Sequence, residues 1–377
     1  MSTQTTQATD GTQTARAAHT LAAVRRTRAH RLRHHALLHG TLAVAVAALF
    51  LVDVLLGGYT VTVPDFWTLL TGGRVEAAPA ARFIVMEDKL PRAVVATLTG
   101  LAFGAAGGAF QTLLRNPLAS PDVLGITAGA STAAVTAMVV GASGAAVTGS
   151  ALAGALAVAV LIALLARPGR GAGGTGLGGT GLGGAGLGGT RLILVGIGCA
   201  ALLQAITSYL LTRTDITTAG DALVWLNGSL NGATWDRVAT LGLALCVLLP
   251  LTALTARPMG GLELGDDTAA GLGLRVAASR ARLLLAAVAL AAVATAAAGP
   301  VAFVPLLAGN IARRLGGGRT SLLAAALVGA AVMLGAEYLA VNLLPDTRLP
   351  VGVVTGALGA PFLLLLLVKV HRVGRGG

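Results

Sequence analysis

Few side chains in this 377-residue sequence are of the types that do chemistry, and each suggests a different reaction. His30, His34, His35 and His39 form two i,i+4 pairs, which on a helix could hold a metal ion. With no acid or cysteine near them, they read instead as part of a wet, basic tail. Cys199 and Cys246 both fall inside apolar runs and read as small buried hydrophobes, not as a disulfide or a thiolate metal site. Asp53 and Glu337 are acids at or near apolar segments, where an ionisable group could relay protons. The two lysines, Lys89 and Lys369, precede Leu90 and Val370, so neither completes the GxxxxGK[ST] loop whose lysine reaches nucleotide phosphates. Any ATP-driven work would therefore come from another polypeptide, and neither cofactor, metal nor covalent chemistry is expected here.

The stretch 89–131 is more informative. Lys89-Leu90-Pro91-Arg92 opens a Gly/Ala-rich apolar run with no ionisable residue inside it, and Gln111 to Asp122 closes it as a polar, proline-locked turn. Asn116-Pro117 and Ser120-Pro121 hold the chain out of helical geometry, because a proline disfavours the α region for the residue before it. The amide of Asn116, set between two apolar helices, needs hydrogen bonds or a specific role to offset its desolvation.

The elements that must position these residues are membrane helices. Apolar residues make up 55% of the chain and charged ones 11%, and apolar segments of about 20 residues, the length that crosses a bilayer, recur along it. They fall near 36–57, 91–114, 122–141, 144–166, 191–212, 238–256, 282–298, 301–315, 320–343 and 350–370, which gives about ten crossings. Gly100, Gly104 and Gly108 share one helical face, as do Gly352 and Gly356, which lets helices approach closely. The net charge of +12 is a topology signal and does not point to nucleic acid. With both termini inside, 20 of the 27 Lys and Arg lie on the cytoplasmic side, as membrane insertion favours. Residues 1–35 read as a disordered basic tail and 36–373 as the transmembrane domain. The Gly-Leu-Gly-Gly repeats of 168–189 read as a flexible cytoplasmic loop.

Lys89-Leu-Pro-Arg92, Gly100, Gln111 and Leu114-Arg-Asn-Pro-Leu-Ala-Ser-Pro-Asp-Val-Leu-Gly125 resemble the permease subunits of ABC importers for iron–siderophores, haem and cobalamin. The resemblance continues through Trp225–Leu230, Glu263–Gly273, Ala298–Val304, Asn310–Leu315 and Leu349–Gly356, in the family's order. It implies an all-α bundle like that of the cobalamin importer permease (type II), in the bacterial cytoplasmic membrane. It also implies a dimer of ATP-binding-cassette ATPases inside and a substrate-binding protein docked outside. Ala302 and Asn310-Ile-Ala-Arg-Arg314 look like the second member of paired permeases of the ferric-enterobactin type, hence a heterodimer with another permease.

Position by position, the resemblance assigns Lys89, Arg92 and Trp225 to docking of the binding protein. Asn116 and Leu118 fall on the cytoplasmic gate, with Gly189 and Thr190 on its other side, where a Gly replaces the more usual hydroxyl residue. Segment 261–274 becomes the coupling segment seated in the ATPase, through Glu263, Leu264, Gly265, Asp267, Ala269, Leu272 and Gly273. Gly309-Asn310 departs from the Pro-His of many members. The implied cargo is an iron(III)–siderophore complex, with cobalamin or haem as the alternative. A transporter driven by ions is the rival from another class, and it would rest on Asp53 and Glu337 as relays.

Overall fold

The computed structural model describes residues 33–73, 80–165, 187–344 and 347–373. Ten helices occupy the ten expected segments: α1 (Arg33–Leu55), α3 (Ala81–Leu113), α4 (Ile126–Val139), α5 (Ala145–Leu165), α6 (Leu187–Arg213), α8 (Trp235–Thr255), α11 (Val276–Ala298), α12 (Val304–Leu315), α13 (Leu322–Asn342) and α14 (Val351–Val373). Short helices α2 (Val63–Leu70), α7 (Ile216–Leu226), α9 (Met259–Leu262) and α10 (Asp266–Gly271) lie in the connections. Seven of the described helices are long and apolar enough to cross a bilayer unaided: α1, α3, α5, α6, α8, α11 and α13. Helices α4, α12 and α14 complete an all-α membrane bundle.

The bundle is built around α3, which packs against α8, α11, α12 and α13. Lipid tails are as apolar as leucine, so close packing of small residues has to hold membrane helices together. The Gly100–Gly104 face meets α13. A Cβ on Gly100 would sit 2.6 Å from Ala330 Cα, and one on Gly104 would collide with the Ala325 carbonyl oxygen. Gly107 lies equally close to Pro305 at the start of α12. In α14, Gly352 abuts the Asn227 carbonyl, whereas Gly356 faces open space and has no such role. Gly104→Val is expected to cost 1–3 kcal/mol or more through forced separation of α3 and α13. Thermal inactivation in detergent would measure it, and an unchanged midpoint would remove this contact from the account.

Several boundaries differ from expectation. Arg33 to His35, assigned to the tail, form the first turn of α1, and the rest of the tail lies outside the described residues. Leu187 to Gly189, assigned to the flexible loop, begin α6, because the apolar run that follows carries the helix back into the repeat; residues 166–186 lie outside the description. Helix α3 starts ten residues early through a π-helical turn at Ile84–Lys89. The third crossing is broken at its start, where Gly125, at φ 75°, separates the 3₁₀ turn Pro121–Leu124 from α4. The cysteines are not core residues: Cys199 is half-buried and Cys246 exposed on the apolar outside of α8.

Candidate coupling and gate sites

At one end of the bundle, the chain between α8 and α11 folds into a small two-helix platform. Gly265, at φ 106°, and Gly273, at φ 79°, take backbone conformations that L side chains avoid, and so reverse the chain on both sides of α10. Met259, Leu262 and Ala269 are buried beneath the platform. Leu264 and Leu272 project outward, each 63% exposed, among the exposed Glu263 and Asp267. Two large aliphatic side chains held on a rigid polar turn make a surface suited to an apolar partner groove.

Asp266, at the first position of α10, anchors the platform. Arg280 of α11 grips its carboxylate with both terminal nitrogens, at 2.9 and 2.7 Å. Arg115, from the turn after α3, donates to the same carboxylate at 2.6 Å and to the Leu262 carbonyl at 3.0 Å. Charge-assisted and two-pronged bonds of this kind fix geometry as well as adding energy. Arg115 reaches the carboxylate from a left-handed backbone at φ 48°; Phe303 is the other non-glycine residue in that region among those described.

The turn after Arg115 is the expected gate. Asn116 Oδ1 accepts the Leu118 N–H at 2.9 Å, closing an Asx turn that sets the path into Pro117. This satisfies the Asn116 amide oxygen locally, and Asn116 and Leu118 are both half-buried. The loop is also tied to α12, because Asn310 Nδ2 donates to the Pro117 carbonyl at 2.7 Å and to Leu306 O at 2.8 Å. Gln111 Nε2 adds a 3.0 Å bond to the same Leu306 carbonyl. Gly309 faces the Gln111 amide closely, so a side chain there would require the Gln111 amide to shift. Helix α6 closes on the far side of this turn, with Gly196 so close to Leu124 that a Cβ would lie 2.9 Å from its Cα. Gly189 and Thr190 stand in the first turn of that helix.

At the opposite end, Arg92 and Lys89 are both bonded within the bundle. Arg92 is only 5% exposed, and its guanidinium pairs with Glu337 of α13, itself 2% exposed. The Arg92 side chain also reaches Asp88 at 3.4 Å, and Asp88 is held by Arg348 at 3.1 Å. Lys89 Nζ donates to the carbonyls of Val54, Leu56 and Tyr59 at 3.3, 2.7 and 2.6 Å, capping the C-terminus of α1 where a cation is favoured. Both cations expected at a docking surface are thus also bonded within the fold, Arg92 buried and Lys89 half-buried; a charge in an apolar helix is costly until it is paired. The same pairing removes Glu337 as a free proton relay.

Trp225 is half-buried near the end of α7, at this same end of the bundle. Asp215 caps the start of α7, its carboxylate accepting the Thr218 N–H, which holds it below the usual range. The π turn before Lys89 leaves the Met86 carbonyl for the Trp235 indole N–H, at 2.8 Å. His39 Nε2 lies 3.0 Å from Ser321 Oγ at the platform end. Among the described residues, no group of three His, Cys, Asp or Glu is placed to hold a metal.

Among the described residues, a membrane-helix bundle with a polar-fixed loop and an exposed two-helix platform at one end has the layout of a transport permease. Its fold matches a solved structure described as an inward-facing conformation of a metal-chelate type ABC transporter, with TM-score 0.72 and 23% identity over 88% of this chain and 98% of that one. Residues 45–369 match the model of the FecCD transport family, and the chain belongs to that family. It is 39% identical over 317 residues to the ferric enterobactin transport system permease of Escherichia coli (strain K12), covering 84% of this chain and 91% of that protein. To the achromobactin transport system permease of Dickeya dadantii (strain 3937) it is 38% identical, covering 80% and 84%. To the iron(3+)-hydroxamate import system permease of Bacillus subtilis (strain 168) it is 38% identical, covering 76% and 84%.

Proposed function

We propose that this chain is one of two permease subunits of an importer that carries iron(III)–siderophore complexes across a bacterial cytoplasmic membrane. A dimer of ATP-binding-cassette ATPases binds the platform at 256–275, which faces the cytoplasm together with both termini. The observation that carries this reading is the pair of exposed leucines, Leu264 and Leu272, on a platform fixed to the bundle by Asp266. The distribution of Lys and Arg supports the orientation. The relatives' iron-complex cargoes support the substrate class.

ATP binding moves the platform, the two permeases alternate between outward and inward openings, and Asn116 and Leu118 lie where the inward path narrows. A substrate-binding protein delivers cargo at the end carrying Trp225. The second permease, a different paralogue, supplies the other half of the pathway. Proteoliposomes holding this chain, its partner permease and the ATPase, supplied with loaded binding protein, are expected to accumulate ⁵⁵Fe(III)–siderophore only when ATP is present. Uptake of the complex by energised vesicles lacking the ATPase would overturn the proposal in favour of an ion-driven carrier.

A further inference from the structure

We infer that Arg115 and Asp266 are positioning residues that carry motion from the ATPase platform to the gate loop. This inference rests on the coupling role proposed above for 256–275, but it adds a defined route. The platform and the gate loop are separate pieces of chain, and the Arg115–Asp266 pair spans 151 residues of sequence to join them. One guanidinium nitrogen holds two points of the platform, the Asp266 carboxylate at 2.6 Å and the Leu262 carbonyl at 3.0 Å. The residue that supplies it stands immediately before Asn116, so a displaced platform pulls the loop at its first residue.

The loop cannot respond by local slack. The Leu118 N–H is bonded to Asn116, the Pro117 carbonyl is held by Asn310 of α12, and the Asn116 N–H is bonded to Gln111 O at 3.2 Å. A short element braced from within and tied to α3 and α12 moves as a unit, and α12 moves with it through Asn310. Arg280 has a different task. It binds Asp266 from the adjoining helix α11 and holds the platform on the bundle whether or not Arg115 is engaged. Asp266 is thus shared between an anchor on one side and a transmitter on the other. A purely structural pair would need only the anchor.

Removing Arg115 alone should therefore leave the platform seated and disconnect it from the gate. The test uses the complete complex with its ATPase, reading hydrogen–deuterium exchange with and without a non-hydrolysable ATP analogue, in Arg115→Gln, Asp266→Asn and Asp266→Glu. In the parent, nucleotide is expected to change uptake in both 256–275 and 114–120. In Arg115→Gln the response at 256–275 and the co-purification of ATPase should persist while the response at 114–120 is lost. Asp266→Asn should lose the response at 114–120, and Asp266→Glu should restore it. An intact response at 114–120 in Arg115→Gln, or none there in the parent, would overturn the inference. If the parent shows no response at 256–275, the coupling reading itself fails, a result distinct from loss at the loop alone.

Discussion

Glu337→Ala is expected to destabilise the bundle by about 3–5 kcal/mol, the usual cost of leaving one partner of a buried ion pair alone. Arg92 would keep only Asp88, at 3.4 Å and on the partly exposed edge of the network, while its own side chain stays buried. The loss should appear as a much lower midpoint of thermal inactivation in detergent and as poor accumulation in the membrane. Replacing both partners together, Arg92→Met with Glu337→Leu, should recover most of the stability, because an apolar pair of similar volume carries no desolvation penalty. A single Glu337→Ala variant as stable as the parent would show that the pair contributes nothing. The docking reading of Arg92 predicts the opposite pattern, in which the bundle is unaffected and only binding-protein association weakens.

The second large effect belongs to the platform. Leu264→Asp with Leu272→Asp is expected to release the ATPase, since anchors filling a partner's pocket typically contribute 2 kcal/mol or more each. Two such losses amount to roughly a thousandfold in affinity. The permease itself should remain stable, because both side chains already face outward and neither contributes to the core. Co-purification of ATPase with the doubly substituted chain at the parent's level would remove the coupling assignment of 261–274.

The helical architecture was legible in the sequence because a membrane helix declares itself locally, through length and apolarity. All ten expected segments correspond to helices, and the Gly100–Gly104 face packs as its spacing implies. The platform's outward leucines were also readable, as apolar residues flanked by acids and glycines in a polar connection. What could not be read was pairing. Arg92 and Glu337 are 245 residues apart, and nothing local distinguishes a docking cation from one committed to a distant acid. A signal existed: a cation at the start of one apolar run and a lone acid within another apolar helix have strong reason to find each other in lipid. The Arg115–Asp266 pairing was likewise invisible, since its arginine arrives from another part of the chain. The π turn was invisible because it changes hydrogen-bond register without changing composition.

Helix α1 has little of its surface fully enclosed, yet polar bonds fasten it near both ends: His39 to Ser321 on one side, and Lys89 to the carbonyls at Val54 and beyond on the other. Those fastenings lie about 22 Å apart, from fifteen residues at 1.5 Å each. The helix is thus a strut of set length and cannot tilt on its own to suit a thinner or thicker bilayer. Any mismatch in thickness falls on the surrounding lipid instead, so the annulus beside α1 adapts to the protein.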